Sequence, residues 1–161
     1  MEKTRMTLND VVSKYNLIAV LRFEHNQKEF SKELKIKLIK MRIEYGKYKK
    51  ALDNDIKEFT EGIISEQYKF LVSNQFKTPE EIKEFNELEN SYQKDISDYM
   101  NSRSSEVIEN VNDWKITESE YEEIVDLNTS NDVEINGVKI PSMDYLELIY
   151  NILVDKNKEE S

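Results

Sequence analysis

Few side chains in this sequence are of the types that carry out catalysis. There is one histidine, His25, and there is no cysteine. A lone imidazole cannot assemble a Ser-His-Asp triad or a histidine-rich metal site, so we expect His25 to be structural or exposed to solvent. The lack of cysteine excludes disulfides, zinc sites made of thiolates and cysteine nucleophiles, and it fits a reducing cytosol.

A run of carboxylates is the remaining candidate for acid–base chemistry: Glu118, Glu120, Glu122, Glu123 and Asp126. A general acid needs a desolvated pocket, and nothing in the surrounding sequence predicts one. We therefore expect these side chains to form a solvated helix face. No glycine-rich phosphate loop is present. The sequence predicts a protein that is not an enzyme and that uses no cofactor.

One segment has oxygen-bearing side chains at alternate positions, as in a calcium-binding loop. It runs from Asp126 to Glu134. The sixth position is Asn131, where an EF-hand loop needs glycine, and the twelfth is Gly137, where it needs a glutamate that binds calcium through both oxygens. The segment that follows is typical of a hairpin and not of a helix. We predict an ordinary polar loop and no metal site.

The charge of the chain is divided along the sequence. The net charge is −10, with +7 on residues 1–50 and −17 on residues 51–161. Three explanations compete: packing of the basic segment on the acidic one, head-to-tail association of copies, or a nucleic-acid-binding face. We favour the first. The candidate contacts for phosphate or an acidic surface are Lys35, Lys37, Lys40, Arg42, Lys47, Lys49 and Lys50.

Two apolar stripes predict the main architecture, a long antiparallel helical hairpin that breaks at residues 73–79. The spacing alternates between three and four residues, as in a packing seam, with Arg103 as an interruption in the second arm. At about 1.5 Å per residue, arms of roughly thirty residues make the molecule elongated. The first stripe is Leu34, Leu38, Met41, Tyr45, Tyr48, Leu52, Ile56, Phe59 and Ile63, and the second is Ile82, Phe85, Leu88, Tyr92, Ile96, Tyr99, Val107 and Val111.

An N-terminal helix is predicted to lie at the base of this hairpin. Thr7 is its expected N-cap, with Asp10 three residues later, and it is expected to end near residues 25–26. A second stripe on the first arm, Ile36, Ile39 and Ile43, lies roughly opposite Leu34, and we expect the N-terminal helix to cover it. Gly46 and Gly62 allow a bend or a close helix contact.

The second arm has clear start signals, and after it the sequence changes in character. Thr78 and Pro79 predict a helix that runs to about Asn110. Residues 114–116 predict a short strand, and Thr117 with Glu120 predicts a capping box for a helix that ends at residue 127.

The strongest local signal is a β-hairpin at residues 133–140 that turns at Asn136-Gly137. We expect Ile135 to pair with Val138 and Val133 with Ile140, and we expect Ser142 to cap a final helix. We expect Trp114, Val133, Ile135, Val138 and Ile140 to dock on a partner or on the base of the bundle.

The predicted organisation is a single domain that spans residues 1–161. Residues 1–112 form a helical body, 113–154 a small α+β element and 155–161 a flexible tail. The longest apolar run, residues 17–21, is too short to cross a bilayer, and the N-terminus lacks an apolar signal core. We expect a cytoplasmic protein with no membrane contact.

In their order along the chain, several segments resemble small helical proteins of tailed bacteriophages. They are the Thr-Leu-x-x-Val start of the first helix, the Leu-Lys-Ile-Lys-Leu opening of the long helix, the segment from Arg42 to Gly46, and the β-element before the last helix. Such proteins tend to be encoded among virion and assembly genes, so the resemblance implies a structural or assembly role in the neck, tail or portal region. It implies other virion proteins as partners, along with self-association, and a location in the host cytoplasm and the virion. No functional residue is carried over from it. The alternative is a regulatory or nucleic-acid-associated protein that uses the basic residues 28–50.

Overall fold

The structure is a computed structural model that describes residues 3–129 and 131–156. These residues form six helices and three antiparallel two-stranded sheets, which confirms the predicted mainly helical fold with a small C-terminal β-hairpin and helix. The helices are α1 (Leu8–Ala19), α2 (Lys32–Ile63), α3 (Glu66–Ser73), α4 (Pro79–Ser104), α5 (Glu118–Asn128) and α6 (Ser142–Leu153). The strands are β1 (Lys3–Thr7), β2 (Glu24–His25), β3 (Lys28–Glu29), β4 (Val107–Asn112), β5 (Val133–Ile135) and β6 (Val138–Ile140).

The chain divides into two compact units. Unit 1 is Met1–Lys49 with Val107–Ser161, and unit 2 is Lys50–Glu106. This division differs from the predicted helical body and separate C-terminal element, because residues on both sides of the predicted boundary at residue 112 pair and pack with the N-terminal segment. Of the predicted tail, Asp155 and Lys156 are described, and the rest lies outside the described residues.

Unit 1 has one hydrophobic core, which the first half of α2 crosses. The predicted stripe residues Leu34, Leu38, Met41 and Tyr45 are fully buried in it. Packing against them are apolar side chains from both ends of the chain: Met6, Val11, Leu17, Ile18, Leu21, Phe30, Val111, Ile116, Ile124, Leu127, Tyr145, Leu146, Ile149, Leu153 and Val154. This half of the stripe is therefore confirmed as buried, but its partners are the terminal segments of the chain.

The sheet formed by β1 and β4 has no counterpart in the sequence-based prediction, which placed Val107 and Val111 on a helix. The strands pair Lys3 with Asn112 and Thr7 with Val107, and a bulge shifts the register between them. At Asn110 the backbone has a φ of 58°, the left-handed conformation that asparagine tolerates well and that β-bulges use. Strand β4, which follows the second arm, therefore belongs to unit 1.

Helix α1 begins as predicted and ends earlier than predicted. The Thr7 side chain accepts a hydrogen bond from the backbone N–H of Asp10 (3.1 Å), but the helix stops at Ala19. Strand β2 occupies the predicted last turn, and it is joined to β3 by Asn26 and Gln27, which have φ of 50° and 68°. Positive φ at both central residues is the signature of a type I′ hairpin turn.

Unit 2 is a helical hairpin with an interrupted first arm. Helix α2 ends at Ile63, and Ser65 caps α3 by accepting from the N–H of Tyr68 (3.1 Å). The Tyr92 hydroxyl on α4 accepts from the Ser65 N–H (3.0 Å) and fixes this break. The predicted return lies between α3 and α4, and the rings of Phe59 and Tyr99 stack with centroids 4.2 Å apart.

Arg103 interrupts the apolar seam of unit 2 and makes polar contacts there. Its Nη2 atom lies 2.6 Å from Asp55 Oδ2 on α2, and its Nη1 atom donates to Glu106. Its Nε is buried with no partner among the described residues. The guanidinium therefore links the two arms of the hairpin at the place where the stripe lacks an apolar side chain.

The predicted strand at residues 114–116 is not formed, and Ile116 makes only an isolated parallel bridge to Val154. The rest of the C-terminal part of unit 1 follows the predicted local signals with one exception. The capping box of Thr117 and Glu120 is present, and the β5–β6 register pairs Ile135 with Val138 and Val133 with Ile140 as predicted. The exception is the start of α6. Its N-cap is Pro141, which lacks a side-chain capping bond, and the Ser142 hydroxyl donates to the carbonyl of Thr129 (3.0 Å) instead.

Among the described residues, none of the helices combines the length and the apolar character that crossing a bilayer requires.

Candidate functional site

Trp114, one of the predicted partner-binding residues, is held within unit 1 by hydrogen bonds. Its indole N–H donates to Glu44 Oε2 (2.5 Å), and its backbone N–H donates to the Tyr45 hydroxyl (3.0 Å). That hydroxyl donates in turn to the backbone carbonyl of Asn112 (2.7 Å). Burial raises the pKa of Tyr45 well above its ordinary value, so the hydroxyl remains a donor. The network ties the segment after β4 to α2.

The apolar face of the C-terminal hairpin is largely used inside the protein. Val133, Ile135 and Ile140 are half-buried and pack against the core of unit 1. Val138 is 61% exposed. The sequence predicts that the hairpin docks either on a second protein or on the base of the bundle. Three of these four side chains contact the core of the hairpin's own chain.

Two of the predicted basic contacts are engaged in ion pairs. Lys35 Nζ lies 2.5 Å from Glu29 Oε2, and Lys37 Nζ lies 2.6 Å from Glu120 Oε1. The partner of Lys37 is on α5 and not on the predicted second arm. Part of the basic segment is therefore neutralised within unit 1. Of the remaining predicted contacts, Lys40, Arg42, Lys47 and Lys50 are exposed and Lys49 is half-buried.

The carboxylates on α5 do not form a solvated face as a group. Glu120 is only 9% exposed, because it closes the capping box and pairs with Lys37. Both oxygens of Glu123 accept hydrogen bonds from Ser31, at the start of α2. Glu118 accepts from a tyrosine hydroxyl on α6 (2.7 Å). The prediction is wrong for Glu120, since this acidic cluster joins α5 to its neighbours. The exposed members are Glu122 and Asp126.

Four titratable groups of unit 1, Arg5, Asp10, Lys14 and Asp113, line a shallow cleft of about 230 Å³ beside β1 and α1. Lys14 Nζ lies 2.7 Å from Asp113 Oδ1, and Arg5 Nε lies 2.9 Å from Glu109 Oε1. Burial, with a further contribution from the charge of Lys14, lowers the pKa of Lys115, which donates to a backbone carbonyl of α6 (2.8 Å). The cations here are already paired, so the cleft offers no ready site for an anion.

The groups tested for metal and acid–base chemistry stay apart. His25 is exposed on the β2–β3 hairpin, with its ring nitrogen Nε2 3.0 Å from Asn26 Nδ2. Over residues 3–129 and 131–156, no three histidine or acidic side chains converge in a way that could hold a metal ion. The calcium-like segment includes residue 130, which lies outside the described residues.

The isoleucine face, formed by Ile36, Ile39 and Ile43 on α2, is exposed. Their exposed fractions are 43%, 48% and 59%. The prediction that the N-terminal helix covers them is wrong. Helix α1 packs elsewhere on α2, where Tyr15 lies so close to Gly46 that a Cβ there would be 3.2 Å from the ring. Of the two alternatives that the sequence leaves open at Gly46, a bend or a close helix contact, the structure shows the close contact, and the isoleucine face stays open.

Among the described residues, the most exposed large apolar side chain is in unit 2, at the turn between α3 and α4. Phe76 is 88% exposed, and nearby Phe70, Val72 and Ile82 are between 47% and 56% exposed. We call these four residues the apolar tip. Phe76 has no sequence signal that marks it as a functional candidate, because a single apolar residue in a turn belongs to no periodic stripe.

The backbone beside Phe76 is fixed. The side chain of Asn74 accepts from the Phe76 N–H (3.1 Å) and donates to Glu81 (3.2 Å). Lys77 Nζ donates to the Asn74 carbonyl (2.9 Å), and Thr78 and Glu81 form a capping box at the start of α4. Hydrogen bonds from the Thr78 backbone and hydroxyl lower the pKa of Glu81. Phe76 is therefore held in solvent by an ordered turn.

Comparisons with protein-family models, with curated proteins and with solved structures gave no match for this chain.

Proposed function

We propose that this protein is a structural or assembly protein that acts through protein–protein contacts, with the apolar tip of unit 2 as a contact surface. The single observation that carries the proposal is the 88% exposure of Phe76 on an ordered turn. The resemblance to small proteins of tailed phages supports a virion or virion-assembly role, in the neck, tail or portal region.

The physical argument concerns what an ordered, exposed aromatic ring contributes to binding. Burying a phenylalanine side chain on association is worth about 1.5–3 kcal/mol. Binding energy concentrates in such anchors, and fixing the anchor beforehand reduces the entropy lost on association. The turn around Asn74 and Lys77 supplies this order in the free protein. Phe76 is suited to fill a pocket on a partner.

A second candidate, association with nucleic acid, is favoured by the exposed cations Lys40, Arg42 and Lys47 on α2. Phosphate contacts release counterions, so this function requires binding to random duplex DNA that weakens steeply as salt rises. Titration with salt separates it from contacts that depend on Phe76.

The test places a photoreactive amino acid at position 76 in cells that naturally make the protein. We expect a discrete protein adduct that survives nuclease treatment and that mass spectrometry identifies as a virion or assembly protein. The control position is Gln93, an exposed polar residue of α4. An adduct equally abundant at both positions would contradict the proposal, and an adduct lost with nuclease would favour the nucleic-acid function.

A further inference from the structure

We infer that the isoleucine face of α2 binds an acidic amphipathic helix of a partner protein. This inference goes beyond the proposed function, because it concerns a surface in unit 1 and holds whether or not the apolar tip binds anything. It rests on the exposure of Ile36, Ile39 and Ile43 and on the lysines aligned with them.

The lysines lie on the same side of the helix as the isoleucines. Lys32 precedes Ile36 by four residues, Lys40 follows Ile36 by four, and Lys47 follows Ile43 by four, so each lysine is a neighbour of an isoleucine along one face. All three lysines are exposed, and no acidic group lies within ion-pair distance of them in the described part of the chain. Two exposed acids lie near this face: Glu33 on α2, and Glu29, which pairs with Lys35 four residues before Ile39.

Folding of α2 does not explain these isoleucines. The opposite side of the helix fills the core of unit 1 with fully buried side chains such as Leu34 and Leu38. At exposed positions, β-branched isoleucine is a poorer helix former than lysine or alanine, so helix stability alone would favour other residues. An exposed apolar stripe along one helix face is a surface that a partner helix can cover.

The arrangement of charge selects the class of partner. Lys40 lies between Ile36 and Ile43 along the helix, so cations interleave with the apolar side chains. A helix that lies on a membrane keeps its cations on a separate polar face, and a surface for single-stranded nucleic acid uses aromatic rings for stacking.

Two copies of this face would bring Lys32, Lys40 and Lys47 of each copy together, and this repulsion disfavours self-association here. A partner helix with apolar residues at the same spacing and with acidic residues beside them matches both the isoleucines and the lysines of this face. Such a helix would lie along α2 as amphipathic helices lie in apolar grooves elsewhere.

The test uses the full-length protein with a photoreactive amino acid at position 39, in the cells that naturally make it. The crosslinked peptide is sequenced by mass spectrometry. We expect a segment with a negative net charge and apolar residues three and four apart. A lipid or nucleic-acid adduct, a basic or neutral segment, or no adduct above that at Gln93 would overturn the inference.

A charge-reversal pair tests the role of the lysines. The double variant Lys40→Glu/Lys47→Glu should lower the yield of the adduct at position 39 by about tenfold or more, as expected when complementary charges become repulsive. The matched control Lys83→Glu/Lys94→Glu makes the same charge change at exposed positions of α4 and should leave the yield unchanged. Equal yields from both pairs would overturn the inference. The crosslink at position 76, measured in parallel, reports separately on the proposed function.

Discussion

The indole N–H of Trp114 donates to the carboxylate of Glu44, with 2.5 Å between Nε1 and Oε2. This bond joins the segment after β4 to the middle of α2, two parts of unit 1 that are separated by 70 residues. Trp114 is the only tryptophan in the chain, so its fluorescence follows the integrity of this junction. Removal of the acceptor should therefore be visible both in stability and in the emission spectrum.

The variant Glu44→Gln should destabilise unit 1 by about 1.5–3 kcal/mol, the typical contribution of a hydrogen bond to a charged group. The Trp114 indole and the Asn112 side chain donate to different oxygens of the carboxylate. An amide replaces one of these oxygens with an NH2 group, which cannot accept, so one of the two donors loses its partner. Urea unfolding followed by Trp114 fluorescence measures the loss, and Glu87→Gln on the exposed surface of α4 is the control. Equal stability of the two variants would contradict the role of this junction.

A second prediction concerns the stability of unit 1 at high pH. Burial raises the pKa of the Tyr45 and Tyr145 hydroxyls above their ordinary value of 10.0. The folded state therefore keeps these protons when the unfolded state loses them. Their contribution to stability is complete below about pH 10 and is lost as the pH rises further, by up to about 1.4 kcal/mol per pH unit for each group.

The variant Tyr45→Phe isolates the part of this pH dependence that comes from Tyr45. At neutral pH it should cost about 1–3 kcal/mol, because the Asn112 carbonyl and the Trp114 N–H lose their partner. Above about pH 10 its stability should fall less steeply than that of the parent protein. The pKa of Lys115, which burial lowers, has an effect of opposite sign that is common to both proteins. Parallel pH profiles from urea unfolding would contradict the assignment.

The sequence predicts the buried side of α2 and fails on what covers it. Leu34, Leu38, Met41 and Tyr45 show a period that only burial explains, and they are fully buried. The later stripe residues Ile56, Phe59 and Ile63 are half-buried. Ile36, Ile39 and Ile43 show a similar period and are exposed, because apolar spacing specifies a helix face and does not show whether another element covers it. Val107 and Val111 are four residues apart, which fits a helix, and their pairing with β1 depends on residues about a hundred positions away.

The candidate contact surfaces could not be predicted from the sequence, because exposure depends on tertiary packing. Trp114 and the C-terminal hairpin were identified as contact residues, and their contacts within the core of unit 1 depend on tertiary packing. The exposure of Phe76 depends on hydrogen bonds around Asn74 that have no simple sequence signature. Capping signals such as Thr7, Thr78 and Thr117 were predicted correctly, since their partners are three residues away.

The two glycines inside α2 should respond differently to alanine. No atom lies within 4 Å of a Cβ placed on Gly62, so Gly62→Ala should stabilise the helix by up to about 1 kcal/mol. A Cβ on Gly46 would lie 3.2 Å from the Tyr15 ring, so movement of the ring should cancel that gain. Urea unfolding followed by circular dichroism measures both.

A Tyr15→Ala background provides the control for this pair, because it removes the ring that Gly46 contacts. In that background, Gly46→Ala should become stabilising. A stabilising Gly46→Ala in the parent protein would contradict the close contact between α1 and α2.

The two-residue turns of the two β-hairpins offer a last matched test. Gln27 and Gly137 occupy the second turn position, with φ of 68° and 78°, but only Gly137 is a residue that adopts this conformation without cost. Gln27→Gly should therefore raise the free energy of local opening of the β2–β3 hairpin by about 1 kcal/mol. Gly137→Gln should lower the free energy of opening of the β5–β6 hairpin by a similar amount. Amide hydrogen exchange at residues 24–29 and 133–140 measures both. Faster exchange at residues 24–29 after Gln27→Gly would show that the Gln27 side chain stabilises this turn by more than its backbone strain costs.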